Sequence, residues 1–378
     1  MPERRTKRGP ERTALAGDLD VLICGASFAG LAVARELRAS GARVLVIDRY
    51  ELGERQTSAC GIPTSWLEVM GLMASHRQSF GELVVHTPHG SSRLELPFTF
   101  STFDYPSLCE LLFDQARCDF ETAKVDGRSG QTVHTDRGDL SAPLIVDALG
   151  WRRLLASDGG YQPPEAPLSR GLEVHPRDTG DEMEIWIDRS YVPAGYGWSF
   201  PAGDELRIGV GSFEPRFHVK DNTVRLARDV GSEAVRYQGN WITHRLRPAT
   251  EQGIFFVGDS AGHCLPLTAE GIRTAFYFGV ACGRELCRAL AGGQGREGAL
   301  RRYHDFSESH RWKFELMLRA QRLIPRVPPR LLNRGLRAMQ WKRFVHWSFG
   351  HYLDIAPPSF AAQAPPPPRR APRRAAAA

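Results

Sequence analysis

The stretch Gly25-Ala26-Ser27-Phe28-Ala29-Gly30 follows the apolar run Val21-Leu22-Ile23 and nearly spells G-x-G-x-x-G. Ser27 stands where the second glycine belongs. In such a loop the first glycine turns the chain sharply out of a strand, and the middle position brings the backbone close to a pyrophosphate. The last glycine lets the following helix pack tightly on the strand. The phosphates then sit over the helix N-terminus, where unpaired N–H groups and the helix dipole favour anions. Serine is small enough to keep that approach open, and its hydroxyl can donate to a phosphate oxygen. An acid about twenty residues on holds the ribose hydroxyls of a bound dinucleotide. Asp48 stands 23 residues after Gly25, at the end of the next apolar run. Arg49 beside it suits a 2′-phosphate, which the preceding acid disfavours. An ordinary strand-to-helix turn is the alternative reading of the same residues.

A second constellation lies more than 200 residues downstream, in FFVGDSAGHCLPLTAEGIRTAFYFG. Gly258-Asp259 follows an apolar strand, and Ala269-Glu270-Gly271-Ile272 opens a long helical stretch. Two glycine-bearing helix starts far apart in sequence suit a long ligand held at two points. FAD is such a ligand, whereas an NAD site alone does not need the second start.

The elements that must carry these residues can be read from periodicity. Strands are expected at about 19–24 and 43–48, with a helix at about 29–39 between them, which makes a β-α-β unit. Helices follow at about 64–72 and 105–117, and strands at about 121–125, 131–134 and 143–147. EMEIWID, YGWSFP and LRIGVGSF, within about 171–215, alternate as sheet strands do. Strand character returns at about 254–259, and the chain is mostly helical from about 270.

The chain has 378 residues, 42% of them hydrophobic, enough for two subdomains. A net charge of +6 permits acidic ligands or an anionic membrane surface without requiring either. The seven cysteines form no C-x-x-C, no metal-ligand spacing and no disulfide framework, so a reducing, cytoplasmic setting fits best and no metal is expected. The first 17 residues read as a basic leader without the apolar stretch of an export signal. Residues 361–378 read as a structureless Pro/Arg/Ala tail. No apolar run has the length of a membrane-spanning helix.

The pairing of the fingerprint with a late G-D-x-A-G-x-x-x-P-L-T-x-E-G-I segment resembles the para-hydroxybenzoate hydroxylase-type FAD superfamily. The resemblance implies that Asp259 binds the ribityl and pyrophosphate region of FAD, and that Gly271 and Ile272 offer backbone N–H groups near the flavin pyrimidine. Val146-Asp147-Ala148-Leu149-Gly150 resembles the superfamily's middle D-G motif. Pro193-Ala194-Gly195-Tyr196-Gly197-Trp198-Ser199-Phe200-Pro201 fits P-x-x-Y-x-W-x-F-P, the signature of the geranylgeranyl reductase branch, where it lines the cavity for a prenyl chain. Cys60-Gly61 matches a Cys-Gly pair of that branch. The chain departs from the pattern in three places: Tyr105 stands where an FAD-contacting arginine is usual, Ile62 where C-G-G is common, and His263 where an apolar residue is common.

The implied fold class is α/β, an α+β two-subdomain flavoprotein. A Rossmann-like FAD-binding domain spans 18–150 and 241–295. An inserted, mostly antiparallel β-sheet substrate domain spans 151–240 with part of 80–100, and a C-terminal helical region spans 296–360. The implied activity is reduction of C=C bonds of an isoprenoid by hydride transfer from reduced FAD, with NAD(P)H or ferredoxin as electron donor. Cys60 and His263 are the candidate catalytic residues, as proton donors. Tyr196, Trp198 and Phe200 alternate onto one strand face, where such a row either lines an apolar tunnel or fills a core. The alternative activity is a flavin monooxygenase or halogenase acting through a C4a-hydroperoxide. Residues 311–343 hold ten Arg or Lys and one acid, with Trp, Phe and Leu interleaved through 344. That composition suits docking on an anionic bilayer, here on the inner face of the membrane, or a solvated helical cap. No nucleic-acid module accompanies the charge.

Overall fold

The structure is a computed structural model and describes residues 13–15, 17–56, 58–156, 168–292 and 295–362. The leader and tail readings fall largely outside these residues. Leu15 is described, and its N–H donates to the Arg137 carbonyl at 2.9 Å.

Val21–Cys24 is buried at every position, as expected of a strand covered on both faces in a parallel sheet. It lies within a six-stranded sheet whose order is 250–251, 254–256, 144–147, 21–24, 44–48 and 119–122. Every pairing in it is parallel except that of Thr250–Glu251 with Ile254–Phe256. The helix Phe28–Leu37 covers one face and packs on the long helix Ile272–Leu290. Close approach requires small residues there: a Cβ on Gly279 would lie 2.8 Å from the Ala29 carbonyl oxygen. The expected helix near 105 spans Tyr105–Ala116, with Asp104 accepting the Ser107 N–H at 3.0 Å as its N-cap.

A second sheet has eight strands, in the order 238–243, 168–174, 206–212, 195–201, 184–186, 76–87, 90–103 and 61–63. All its pairings are antiparallel but one, Glu184–Trp186 beside Val84–His86. This sheet takes more of the chain than the sequence suggests. The whole hairpin 76–103 belongs to it, and Gln238–Thr243 still pairs with Leu168–Val174 past the expected boundary at 241. A three-stranded sheet of 125–129, 132–135 and 138–141 completes the β structure.

The C-terminal part folds as helices Gly295–Glu308, Arg311–Leu323, Pro329–Met339, Lys342–Leu353 and Ser359–Ala362. Buried arginines fasten its end. Arg273 donates to the carbonyls of Tyr352, Leu353 and Ala356, and Arg284 to that of Phe360. Phe360 also packs on Tyr277 and Phe306, so helical order runs two residues beyond the expected limit at 360.

Candidate functional site

Three turns meet at the carboxyl ends of the central parallel strands. The register aligns Cys24 with Asp147 and Asp147 with Phe256, so Gly25, Ala148 and Val257 leave the sheet side by side. Backbone bonds stitch them together: Ala148 N–H to Cys24 at 2.7 Å, Gly25 N–H to Ile47 at 2.7 Å, and Val257 N–H to Asp147 at 3.0 Å. The wholly buried Asp147 carboxylate accepts the Ser260 hydroxyl and the N–H groups of Leu149 and Leu155. Asp147 therefore organises the middle turn and ties it to Gly258-Asp259-Ser260. Ligands of open α/β sheets bind at this edge.

The fingerprint residues behave as their types require. Gly25 has φ +115°, and a Cβ there would sit 2.3 Å from the Ala148 carbonyl oxygen. A Cβ on Gly30 would sit 1.9 Å from the Gly25 carbonyl oxygen, so that position too admits only glycine. Asp48 accepts the Ala26 N–H at 2.9 Å and the Tyr50 N–H at 3.0 Å, which fixes its carboxylate at the cavity wall. Burial raises the Asp48 pKa against those two bonds. The Arg49 guanidinium lies 4.7 Å from the Tyr50 ring centre at the same rim. Ser27 occupies the N-cap position of the Phe28–Leu37 helix, and the Tyr105 hydroxyl donates to its Oγ at 3.1 Å. Ser27, which departs from the fingerprint, and Tyr105, which departs from the superfamily pattern, thus meet as one hydroxyl pair.

One cavity of about 1340 Å³ joins this end to the late motif. A single small-molecule site is typically ~300–1,000 Å³, so there is room for a long cofactor and a second ligand. Ala26, Ser27, Ala29, Asp48, Arg49, Gly258, Asp259, Gly271 and Ile272 all line it. The Asp259 carboxylate accepts no hydrogen bond from the described residues, and burial pushes it up to about 6 against the nearby Arg247. Ile272 begins the 19-residue helix whose N-terminus borders the cavity. A cradle closed to any Cβ, two helix N-termini and an unpartnered carboxylate fit FAD held at both ends.

Tyr196, Trp198 and Phe200 line the same cavity from one face of the Gly195–Pro201 strand. The Tyr196 hydroxyl donates to the Thr268 carbonyl at 2.5 Å, which ties the second sheet to the loop before Gly271. The Trp198 ring lies flat on the neighbouring strand, because a Cβ on Gly209 would be 2.2 Å from it. Beyond Phe200 the wall is apolar: Leu83, Val85, Leu96, Met183 and Ile185 from the sheet, roofed by Leu336 and Phe349 of the C-terminal helices.

Neither candidate proton donor faces this space. Cys60 has φ +53° and is wholly buried, its thiol donating to the Ser58 carbonyl; Ser58, Ala59 and Gly61 line the cavity around it. Burial raises the Cys60 pKa far above the thiol range. His263 is 1% exposed, stacks on Phe278 at 3.8 Å and meets the Ser307 hydroxyl at 3.0 Å, away from the cavity lining. Burial holds it well below the usual histidine value, so it is neutral packing. Sequence reasoning missed Glu173 and Gln238, which do line the cavity beside Trp198. No local motif marks them, since their partners lie on other strands.

An FAD binding domain model matches residues 18–79. A digeranylgeranylglycerophospholipid reductase of Methanosphaera stadtmanae is 25% identical over 330 residues, 78% of this chain and 83% of that protein. Among solved structures, a geranylgeranyl bacteriochlorophyll reductase-like protein of Thermoplasma acidophilum superposes with a TM-score of 0.77 at 16% identity, covering 91% of this chain and 97% of that one. A probable FAD-dependent monooxygenase of Pseudomonas aeruginosa reaches 0.64 at 19% identity, over 87% of this chain and 99% of that one. At these identities the two structures establish the fold. The domain match gives this chain an FAD-binding domain, and the sequence relative makes it similar to geranylgeranyl-type lipid reductases.

Proposed function

We propose that this protein reduces C=C bonds of an isoprenoid chain carried by a lipid, a diphosphate or a quinone. The observation that carries the reading is the continuity of one cavity from the FAD-binding turns, past Tyr196 and Trp198, into the apolar compartment beyond Phe200. That compartment buries much hydrocarbon and offers few polar anchors, as a prenyl chain requires. FAD, when bound, supplies hydride donation to one alkene carbon. The Tyr196–Thr268 bond holds the prenyl wall against the cofactor loop, and Trp198 on Gly209 leaves a flat surface along which the alkene lies. The apolar walls exclude water. Either NAD(P)H or a ferredoxin serves as electron donor. Oxygen separates this reading from a monooxygenase or halogenase: reduced holoenzyme turns over a prenyl substrate under strict anaerobiosis. Turnover that demands oxygen would sink the reductase reading.

The same reading extends to a membrane surface. Helices 311–353 bury Phe314, Leu318 and Leu336 inward, yet expose Trp312, Leu316, Leu323, Leu331, Trp341 and Trp347, each by more than half. A helical cap needs only the inner face. An outer face of tryptophan and leucine set among arginines suits peripheral docking on anionic lipid, with the cavity roof facing the bilayer.

A further inference from the structure

With Cys60 and His263 turned away, the cavity needs another source of the proton that completes alkene reduction. Glu173 is the carboxylate placed for it. It is 4% exposed, lines the cavity, and accepts the Trp198 indole N–H at 3.2 Å on Oε2. Its Oε1 meets Gln238 Nε2 at 2.6 Å and His175 Nε2 at 3.0 Å. The other imidazole nitrogen, Nδ1, lies 3.6 Å from Glu205. Glu205 pairs with Arg207 at 3.0 Å and with Arg236 at 3.5 Å. Side-chain exposure rises along this chain, from 5% at Glu173 and 8% at His175 to 20% at Glu205 and 48% at Arg236. It forms a graded path from the cavity to solvent.

We propose that Glu173 protonates the second alkene carbon, and that His175, fed from solvent past Glu205, reprotonates Glu173. This rests on the reductase reading above. The π bond breaks. One carbon takes hydride with its electron pair, and the other forms a C–H bond with the proton from Glu173 Oε. Glu173, left as carboxylate, takes the Nε2 proton of His175, and the ring takes another in its place from solvent past Glu205. The groups facing His175 are Glu173 and Gln238 from the sheet, and Glu205 with Arg207 and Arg236 behind it; the Cys60 thiol is the further titratable neighbour of Glu173 and Arg207. Burial lowers the His175 pKa, but its bonds to Glu173 and Glu205 more than offset this and leave it raised. Arg207 also donates to the Ala59 carbonyl at 2.9 Å, which anchors the Ser58–Gly61 turn to the relay.

The test uses FAD-loaded, chemically reduced enzyme with geranylgeranyl diphosphate, in wild type, Glu173→Gln and Glu173→Asp. Glutamine keeps the acceptor for Trp198 and the packing but carries no transferable proton. The expected result is a rate on the order of 10²-fold lower or worse in Glu173→Gln, partial recovery in Glu173→Asp, and FAD affinity within about twofold of wild type in both. In the FAD-free protein, the ¹⁵N titration midpoint of His175 is expected to be raised from that of an ordinary histidine and to shift down in Glu173→Gln. A Glu173→Gln enzyme within about threefold of the wild-type rate, or a His175 titration that ignores the substitution, overturns the relay and leaves the reductase reading standing. A wild type that adds oxygen rather than hydrogen overturns both.

Discussion

Asp259 shows how a binding residue weakens the fold that carries it. Its carboxylate has no hydrogen-bond partner among the described residues, and burial raises its folded pKa to about 6 from an ordinary 3.8. A raised acid makes the folded state hold its proton more tightly than the unfolded chain does. That contribution is complete below the unfolded value and is lost as pH rises through the folded one. Asp259→Asn is therefore expected to raise the melting temperature of FAD-free protein by a few degrees above about pH 7, to change little near pH 3, and to weaken FAD binding. Thermal scans at the two pH values with a flavin titration check this. A variant that is less stable at neutral pH would contradict it. Ser27 is the opposite case. Its hydroxyl takes the Tyr105 proton instead of obstructing the turn, so a residue that looks like a defect in the fingerprint is a partnered part of the cavity wall.

At the scale of elements, local pattern was informative and long-range pairing was not. The run Val21–Cys24, the helix Phe28–Leu37 and the strand Val44–Asp48 lie within two residues of where periodicity puts them, because a buried parallel strand and its crossover helix have strong local signatures. The helix expected at about 105–117 spans Tyr105–Ala116, with Asp104 as its N-cap. The order of the eight-stranded sheet was not, since it sets Glu184–Trp186 beside Val84–His86 and Gly61–Pro63 beside Phe100–Thr102. Pairings across such sequence distances leave no periodicity to read. The residues expected to hold FAD could be proposed from sequence because each stands at a strand end or helix start. The two catalytic candidates failed for a related reason: spacing does not say which way a side chain points, and the positive φ of Cys60 turns its sulfur into the core. Glu173 was hidden because Trp198 and Gln238 reach it from two other segments.

The whole molecule places the mostly parallel six-stranded sheet and the mostly antiparallel eight-stranded sheet on either side of one cavity and lays a basic, aromatic helical cap over its apolar end. Among the described residues no helix is long and apolar enough to cross a membrane. Surface docking then depends on the exposed tryptophans and the surrounding arginines together. The protein is expected to sediment with vesicles of anionic phospholipid at low salt and to be released substantially as salt rises, since surface attraction falls off within a Debye length of about 8–10 Å near physiological salt. Trp341→Ala combined with Trp347→Ala removes two side chains that are 66% and 60% exposed, so it is expected to weaken vesicle binding several-fold with folding unchanged. Equal binding by the double variant, or none by the wild type at low salt, would count against docking through this face.

The central claim is that the cavity joining the FAD-binding turns to the apolar compartment serves alkene reduction. The most direct measurement is the mass of the product formed by reduced holoenzyme from a prenyl substrate in heavy water. The account predicts a gain of two hydrogens for each bond saturated, with solvent deuterium retained at carbon. A product that gains an oxygen or a halogen with its double bonds intact would contradict it.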